Sequence, residues 1–442
     1  MDFNFKSRGC SNCYFCRMND FIPHFSELDA KDELAHFQQR FCIPQVQGQD
    51  ESNQKILYYC GNSLGLQPKE TRNYVEQELV DWANLGVEGH LQALRPWVKY
   101  HEFLTEDMAS IVGAKPEEVV VMNTLSVNLH LMMVSFYRPT PSRRKILIEY
   151  SAFPSDRYAV ESQIRFHGYD PESDLIILQP ENEDEYVNPA YIQQVIEQHG
   201  ESIALVLIGS VNYYTGQAYP IQKITEWGHA HGCVVGFDLA HGAGNLMLNL
   251  HEDGPDFAVW CSYKYLNSGP GSLAGCFVHE RHAKAYDLPR FAGWWGHNKE
   301  RRFKMEAKLD LLPGAEGWQL SNPPILPMAC IRASLDLFKE AGMPALRSKS
   351  LKLHKYLRDL MNSLDHSDIR LLTPESEEEH GCQVSIQIKN ANKEIYHQLS
   401  AMHIVADWRE PDVIRVAPVP LYNSFEDVHQ LYSAFKKVLK IQ

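Results

Sequence analysis

Long apolar runs are missing from this chain. None reaches the roughly 18 residues that a membrane helix needs. Basic charge is short as well: 42 Lys and Arg against 56 Asp and Glu leave a net charge of −14, which argues against a broad electrostatic nucleic-acid partner. The first residues, "MDFNFKSRGCSNC", lack the apolar stretch of a secretory signal. Ten cysteines in 442 residues do not make a disulfide scaffold. Cys233, Cys261, Cys276, Cys330 and Cys382 sit inside apolar runs, as small hydrophobes do. Together these absences predict a reducing, cytoplasmic setting. Repeats and low-complexity tracts are also lacking. Cys10, Cys13 and Cys16 form C-x2-C-x2-C, but a fourth metal ligand could come only from His24 or Cys42 nearby. Half a motif predicts no metal, and residues 1–20 read as an arm outside the fold.

What the chain has is alternation. "EVVVMN" (118–123), "RKILIEY" (144–150), "ALVLIGS" (204–210), "CVVGFD" (233–238), "FAVWCS" (257–262) and "AGCFVHE" (274–280) have the length and branching of buried strands. Helical spacing separates many of them, at 126–137, 155–167, 188–199 and 221–231, and it also fits 69–86. This predicts an α/β class with a mostly parallel sheet covered by helices on both faces. Later the pattern changes. A long helical stretch (327–363) precedes an acidic loop (373–381), strands at 382–389 and 413–418, a helix at 391–402, and a last helix with Ser424 and Asp427 as its capping box. The expected organisation is a segment 21–65 packed on the small domain, a large domain 66–325 and a smaller α+β domain 326–442.

Lys264 stands at the end of an apolar strand, before the loop Gly269–Ser272. A buried ammonium costs several kcal/mol unless it is paired or neutralised. Asp238 ends the preceding strand, with His241 just beyond, and ligands of open α/β sheets sit at strand C-termini. A plain ion pair is one reading. The other uses both groups: the lysine as an imine with an aldehyde cofactor, and the aspartate keeping a pyridine nitrogen protonated, as pyridoxal phosphate requires. The phosphate would need backbone N–H groups at a helix start, and Thr124 to Ser126 supply one; Ser126 could equally be a simple N-cap. Phe153 could lie over a planar ring and Asp156 beside it, or they could be core and cap. Tyr214 is a phenol at a strand end, either an acid–base group or packing. Arg415, in mid-strand, needs an anion: a substrate carboxylate, or a structural partner such as Glu410 or Asp412.

In order and spacing, "YCGNSLGLQP", "GHLQALRPW", "VMNTLSVNLHLMM", "FPSD", "YYTGQ", "GFDLAHGAGN", "WCSYKYLN", "GWWGH", "RFKM", "SNPPI" and "IRVAPVPLYNSF" resemble the kynureninase family from about residue 55 onward. The resemblance implies a fold type I pyridoxal phosphate enzyme, transferase-like, with a seven-stranded sheet, acting as a homodimer with active sites at the subunit interface. It implies hydrolysis of the Cβ–Cγ bond of kynurenine or 3-hydroxykynurenine, giving L-alanine and an anthranilate, in tryptophan catabolism toward NAD. It makes Lys264 the Schiff-base lysine and Tyr214 the proton donor. Leu125, Ser126 and Tyr263 would hold the phosphate, Phe153, Asp156, Asp238 and His241 the ring, and Trp294 and Asn322 would reach in from the partner. Arg415 would bind the substrate carboxylate, and Ser63, His90, Ser321 and Asn322 its aromatic ring. His90 and Asn322 could hydrogen-bond a phenol, which predicts a preference for the 3-hydroxy substrate. Three departures stand out: Gly209 where the family has serine, the loop "NSGPGSLAG", and the arm 1–20. A cysteine desulfurase or aminotransferase would share Lys264 and Asp238, but the desulfurase needs a cysteine on a mobile loop, for which Cys382 is a poor candidate. A cofactor-binding scaffold without turnover would have no use for Arg415.

Overall fold

The structure is a computed structural model that describes residues 22–46, 55–180 and 185–441. The cluster of Cys10, Cys13 and Cys16 lies outside them. Seven strands form the main sheet: β1 (Val119–Met122), β2 (Lys145–Ile148), β3 (Leu175–Ile177), β4 (Ile203–Gly209), β5 (Val234–Asp238), β6 (Phe257–Cys261) and β7 (Ala274–Val278), in the order β1-β7-β6-β5-β4-β2-β3. Strands β6, β5, β4, β2 and β3 pair in parallel. Strand β7 runs antiparallel to both β6 and β1. No helix follows β6 to carry the chain back for a parallel return, so the loop with Lys264 turns straight into β7. Strand β3 escapes a sequence reading because it is a three-residue edge strand, half-buried throughout.

Helices α1 (Thr71–Leu85), α2 (Leu125–Phe136) and α3 (Pro154–Phe166) follow the expected periods. The stretch 327–363 is two helices, α4 (Ile325–Ala341) and α5 (Met343–Asn362). Gly342, at φ 75°, takes the left-handed backbone that ends α4, and Pro344 fits the first turn of α5, where its missing N–H costs nothing.

The break also bears on the expected boundary at 325. Met328, Ile331, Leu335 and Phe338 of α4 join the core of the large sheet, and Arg332 lies over the Tyr74 ring of α1 at 4.6 Å. The small core begins further on, with Leu353, Leu357 and Leu360 of α5. These pack on the antiparallel sheet of β8 (Ile369–Leu371), β9 (Val384–Ile388), β10 (Asp407–Arg409) and β11 (Val413–Val416), ordered β8-β9-β11-β10, and on α6 (Phe425–Val438). The N-terminal segment divides. Residues Leu57–Tyr58 pair with Ile404–Val405 of the small unit, whereas Phe37 and Phe41 join the large core. The capping box of α6 is formed, with Ser424 Oγ accepting from Asp427 N at 3.0 Å and the Asp427 carboxylate accepting from Ser424 N at 3.1 Å. Among the described residues no helix is long and apolar enough to cross a membrane.

Candidate active site

The C-terminal ends of β2, β4, β5 and β6 meet the N-terminal ends of α2 and α3 in one cleft. Leu125, Ser126, Glu149, Phe153, Ser155, Asp156, Gly209, Val211, Tyr213, Asp238, Ala240, His241, Tyr263 and Lys264 line it. The sequence therefore converges where strand-end geometry says it should.

Thr124 is the N-cap of α2, but its side chain caps nothing, so the first-turn N–H groups stay open to an anion. Ser126 is inside the helix, not its cap, and its Oγ lies 3.0 Å from Ser155 Oγ at the start of α3. Two hydroxyls and two helix starts thus face the same spot. Ser155 went unread in "FPSD", although its place in the first turn of α3 was the available signal.

Phe153, half exposed, sits 5.8 Å from Lys264 Nζ, ring centroid to ammonium. Asp156 does not cap α3. It is buried and hydrogen-bonded to Asp238. Burial raises both carboxyls. The Asp238 charge raises Asp156 further, whereas the Asp156 hydrogen bond and Lys264 pull Asp238 down, so the shared proton rests on Asp156 and the charge on Asp238. Burial, reinforced by Lys264, Arg415 and Arg409, holds the His241 imidazole well below its ordinary range. Its Nδ1 is buried without a partner. An orphaned imidazole nitrogen, an ionised Asp238, a lysine and open N–H groups at α2 fit the ring, aldehyde and phosphate of pyridoxal phosphate.

Arg415 is not among the residues that line this cleft; it lies behind Tyr213, in the small sheet. Register pairs Asp407 of β10 with Arg415 of β11, which brings their side chains together. Arg415 donates to the Asp407 carboxylate, and Arg409 reaches the same carboxylate at 2.9 Å. Arg415 also donates to the Tyr213 carbonyl, and both guanidinium groups lie within 6 Å of the Tyr213 ring, at 5.6 and 5.7 Å. Its partner is therefore neither Glu410 nor Asp412. Nε of Arg415 and of Arg409 remains buried and unpartnered.

Between the cleft and the small sheet runs the turn 211–218, tied to the latter by Gln383, whose side-chain N–H donates to Tyr213 O at 3.0 Å, and by Ser385 Oγ, which donates to Tyr214 O at 2.6 Å. Tyr214 does not line the cleft; its ring packs with Leu372 and Val413. Alternation along the turn puts Tyr213 in the cleft instead, 5.3 Å from Phe153 between ring centroids. Ser63, His90, Trp294, Ser321 and Asn322 do not line this cleft either. His90 packs edge-on against Trp97, Trp294 Nε1 donates to Arg302 O at 3.1 Å, and Ser63, Ser321 and Asn322 are exposed. No cysteine lines the cleft among the described residues, and Cys382 is buried with Sγ 2.8 Å from Asn245 Oδ1.

Solved structures share this architecture. The cysteine desulfurase CsdA of Escherichia coli superposes with a TM-score of 0.73 at 15% identity, covering 92% of this chain and 98% of its own. A C-DES variant with glycine covalently linked to its PLP cofactor gives 0.72 at 14%, covering 88% and 97%. The fold is that of the fold type I pyridoxal phosphate enzymes. A family model described as the kynureninase C-terminal domain matches residues 346–435. The kynureninase of Myxococcus xanthus is 56% identical over 91% of this chain and 94% of its own length, and that of Koribacter versatilis 54% over 92% and 96%. The chain belongs to the kynureninase family.

Proposed function

We propose that this chain hydrolyses the Cβ–Cγ bond of L-kynurenine or 3-hydroxy-L-kynurenine, releasing L-alanine and anthranilate or 3-hydroxyanthranilate, with pyridoxal phosphate as cofactor. Family membership at over half identity along nearly the whole chain carries the reading, and the cleft chemistry agrees with it. Leu125, Ser126 and Tyr263 would hold the phosphate, Phe153 would cover the ring, and an ionised Asp238 would keep its nitrogen protonated. Bound pyridoxal phosphate supplies an aldehyde for an amine and a cationic ring that draws electrons from the substrate carbons. Lys264 Nζ would be the amine that anchors it and, once free, the base that takes the substrate's Cα proton. Arg415 orients the substrate by its carboxylate through the free Nε edge. Water supplies the oxygen that the departing anthranilate carries. The phenols that can return a proton to the alanine carbon are Tyr214, which the family resemblance favours, and Tyr213 and Tyr263, the two that line the cleft.

The substrate's aromatic ring is read by a second copy of the chain in a homodimer. Trp82, Val87, Leu91 and Leu94 are exposed around His90, and Phe291, Trp294, Phe303 and Met305 are exposed near Ser321 and Asn322. Apolar patches of this kind mark interfaces. A shared interface carries His90, Trp294 and Asn322 to the other subunit's cleft, with Ser63 and Ser321 at the rim. The setting is cytoplasmic and the route is tryptophan breakdown. Incubating the purified protein with each kynurenine, followed by product analysis, tests the activity. Alanine together with an anthranilate is the expected outcome, and release of sulfur from cysteine without either product would sink the assignment in favour of a desulfurase.

A further inference from the structure

Glu149 has no part in the reading above, yet it lines the cleft and is buried. It follows directly on β2, and its Oε2 accepts from Gly209 N, the last residue of the neighbouring β4, at 3.1 Å. Gly209 in turn pairs with Asp238 on β5. Glu149, Gly209 and Asp238 therefore stand in a row across three adjacent strand ends. A Cβ at position 209 would come within 2.9 Å of Glu149 Oε1. The backbone of Gly209 has no positive φ that would demand glycine; what the missing side chain leaves is room for the carboxyl.

We infer that Glu149 is a positioning residue of the cofactor site, a third carboxyl that sets the charge beside the Asp156–Asp238 pair, and that Gly209 is the space it needs. The inference rests on the reading of the cleft as a pyridoxal phosphate site. The groups around Glu149 are Asp238 from β5, Asp156 from α3 and Tyr219 beyond the turn 211–218, with Lys264 and His241 also in the cleft. Burial, with the charge on Asp238, pushes the Glu149 carboxyl up to about 7. Without a cofactor it holds its proton through mild acid. A cationic ring nitrogen next to Asp238 favours a second negative charge nearby, so binding such a ring expels the Glu149 proton. Affinity must then rise with pH wherever the free protein still carries that proton.

The test uses the cofactor-free protein and pyridoxamine 5'-phosphate, which lacks the aldehyde and so takes bonding to Lys264 out of the balance. Its Kd is measured by tryptophan fluorescence between about pH 6 and about pH 8 in the wild type, Glu149→Gln and Gly209→Ser. Wild type should gain about tenfold more affinity across that range than Glu149→Gln. Gly209→Ser, whose Cβ meets only the end of a flexible side chain, should displace the carboxyl and flatten the slope in the same direction. Equal slopes in the wild type and Glu149→Gln overturn the inference. If Glu149→Gln fails to fold by circular dichroism, an unchanged slope in Gly209→Ser overturns it instead. A wild type that binds no pyridoxamine 5'-phosphate at any pH removes the cofactor reading itself, a result separate from either slope.

Discussion

The cleft wall of the large sheet and the small-sheet wall that stands behind Tyr213 are built by different rules. The large-sheet wall is acidic and made from ends: Glu149, Gly209 and Asp238 at strand C-termini, Ser126 and Ser155 at helix starts. The small-sheet wall is basic and made from the middle of strands, where cross-strand register sets Arg415 against Asp407 with Arg409 alongside. An end can be read from local sequence, because an apolar run stops and a polar residue follows. A register partner cannot. Asp407 lies on the neighbouring antiparallel strand, and nothing local distinguishes it from Glu410 or Asp412. The two kinds of wall should also break differently. Removing a group from the first should abolish chemistry, and changing the second should weaken or misplace the substrate.

The largest effect expected is on the acidic wall. On the proposed reading Lys264 both anchors the cofactor and moves the Cα proton, so Lys264→Ala should lower activity by at least about a thousandfold, as removal of a covalent catalyst does. Borohydride treatment of the wild type should leave the cofactor on the peptide containing Lys264, and a label on another lysine would refute the assignment.

Next in size is the joint between the walls. His354 of α5 and His380 stack with centroids 3.5 Å apart, and Gln217 of the turn bridges to His380. Burial holds both imidazoles below their ordinary value, His380 at about 4, with Arg347 and Arg358 adding to the effect. Both folded pKa values lie below the unfolded value near 6.5, so the unfolded chain takes up protons first as pH falls. Stability is unaffected above about pH 6.5 and is lost progressively toward about pH 4. For His380 alone the loss is on the order of 3 kcal/mol. Glu149 acts oppositely: its folded pKa is raised, so its contribution is lost as pH rises from about 4.5 toward 7. Because the two effects oppose each other, the readout is the difference: on acidification the thermal midpoint of His380→Gln should rise relative to that of the wild type. Parallel curves for the two proteins would detach the stack from acid sensitivity.

Changes on the basic wall come third. Arg415→Lys replaces a planar fork by a point charge and should cost about 1.5–3 kcal/mol in kcat/KM, roughly ten- to a hundredfold, with little change in cofactor binding. Asp407→Asn should cost less, about tenfold, because the Tyr213 carbonyl still holds Arg415. A larger loss from Asp407→Asn than from Arg415→Lys would mean that the carboxylate, not the arginine, organises this wall.

Legibility followed the same division. Six of the seven main-sheet strands, the helices between them and the α6 capping box could be read from apolar period and capping residues. So could Lys264, Asp238, His241, Phe153 and Ser126, because each sits at an end. Strand β3 was too short to register, and the break at Gly342 hid within an unbroken apolar period. Glu149 closed a run read simply as strand, and its meaning depends on Gly209, distant in sequence. The residues His90, Trp294, Ser321 and Asn322 were legible only by family resemblance, because isolated polar and aromatic residues outside the strand and helix ends leave no periodic trace.

The smallest effect expected separates adjacent tyrosines. In "NYYTG" both phenols look alike in sequence, and family pattern pointed to Tyr214. The turn resolves them: Asn212 Oδ1 accepts from Tyr214 N and Thr215 N, each at 3.0 Å, which fixes the tight bend and sends successive side chains to opposite sides. Tyr213 faces Phe153 and the arginines, and Tyr214 faces Leu372 and Val413. Burial, with the charges of Glu185 and Asp412, raises the Tyr214 phenol, so it keeps its proton, and its ring packs away from the cleft lining. Tyr214→Phe should therefore change kcat by no more than about twofold, whereas Tyr213→Phe and Tyr263→Phe remove phenols from the cleft and should lower kcat by about ten- to a hundredfold if that phenol is the donor. Comparing the three variants on one substrate decides between them. A large loss confined to Tyr214→Phe would return the proton to that residue, and would mean that the turn moves when substrate binds.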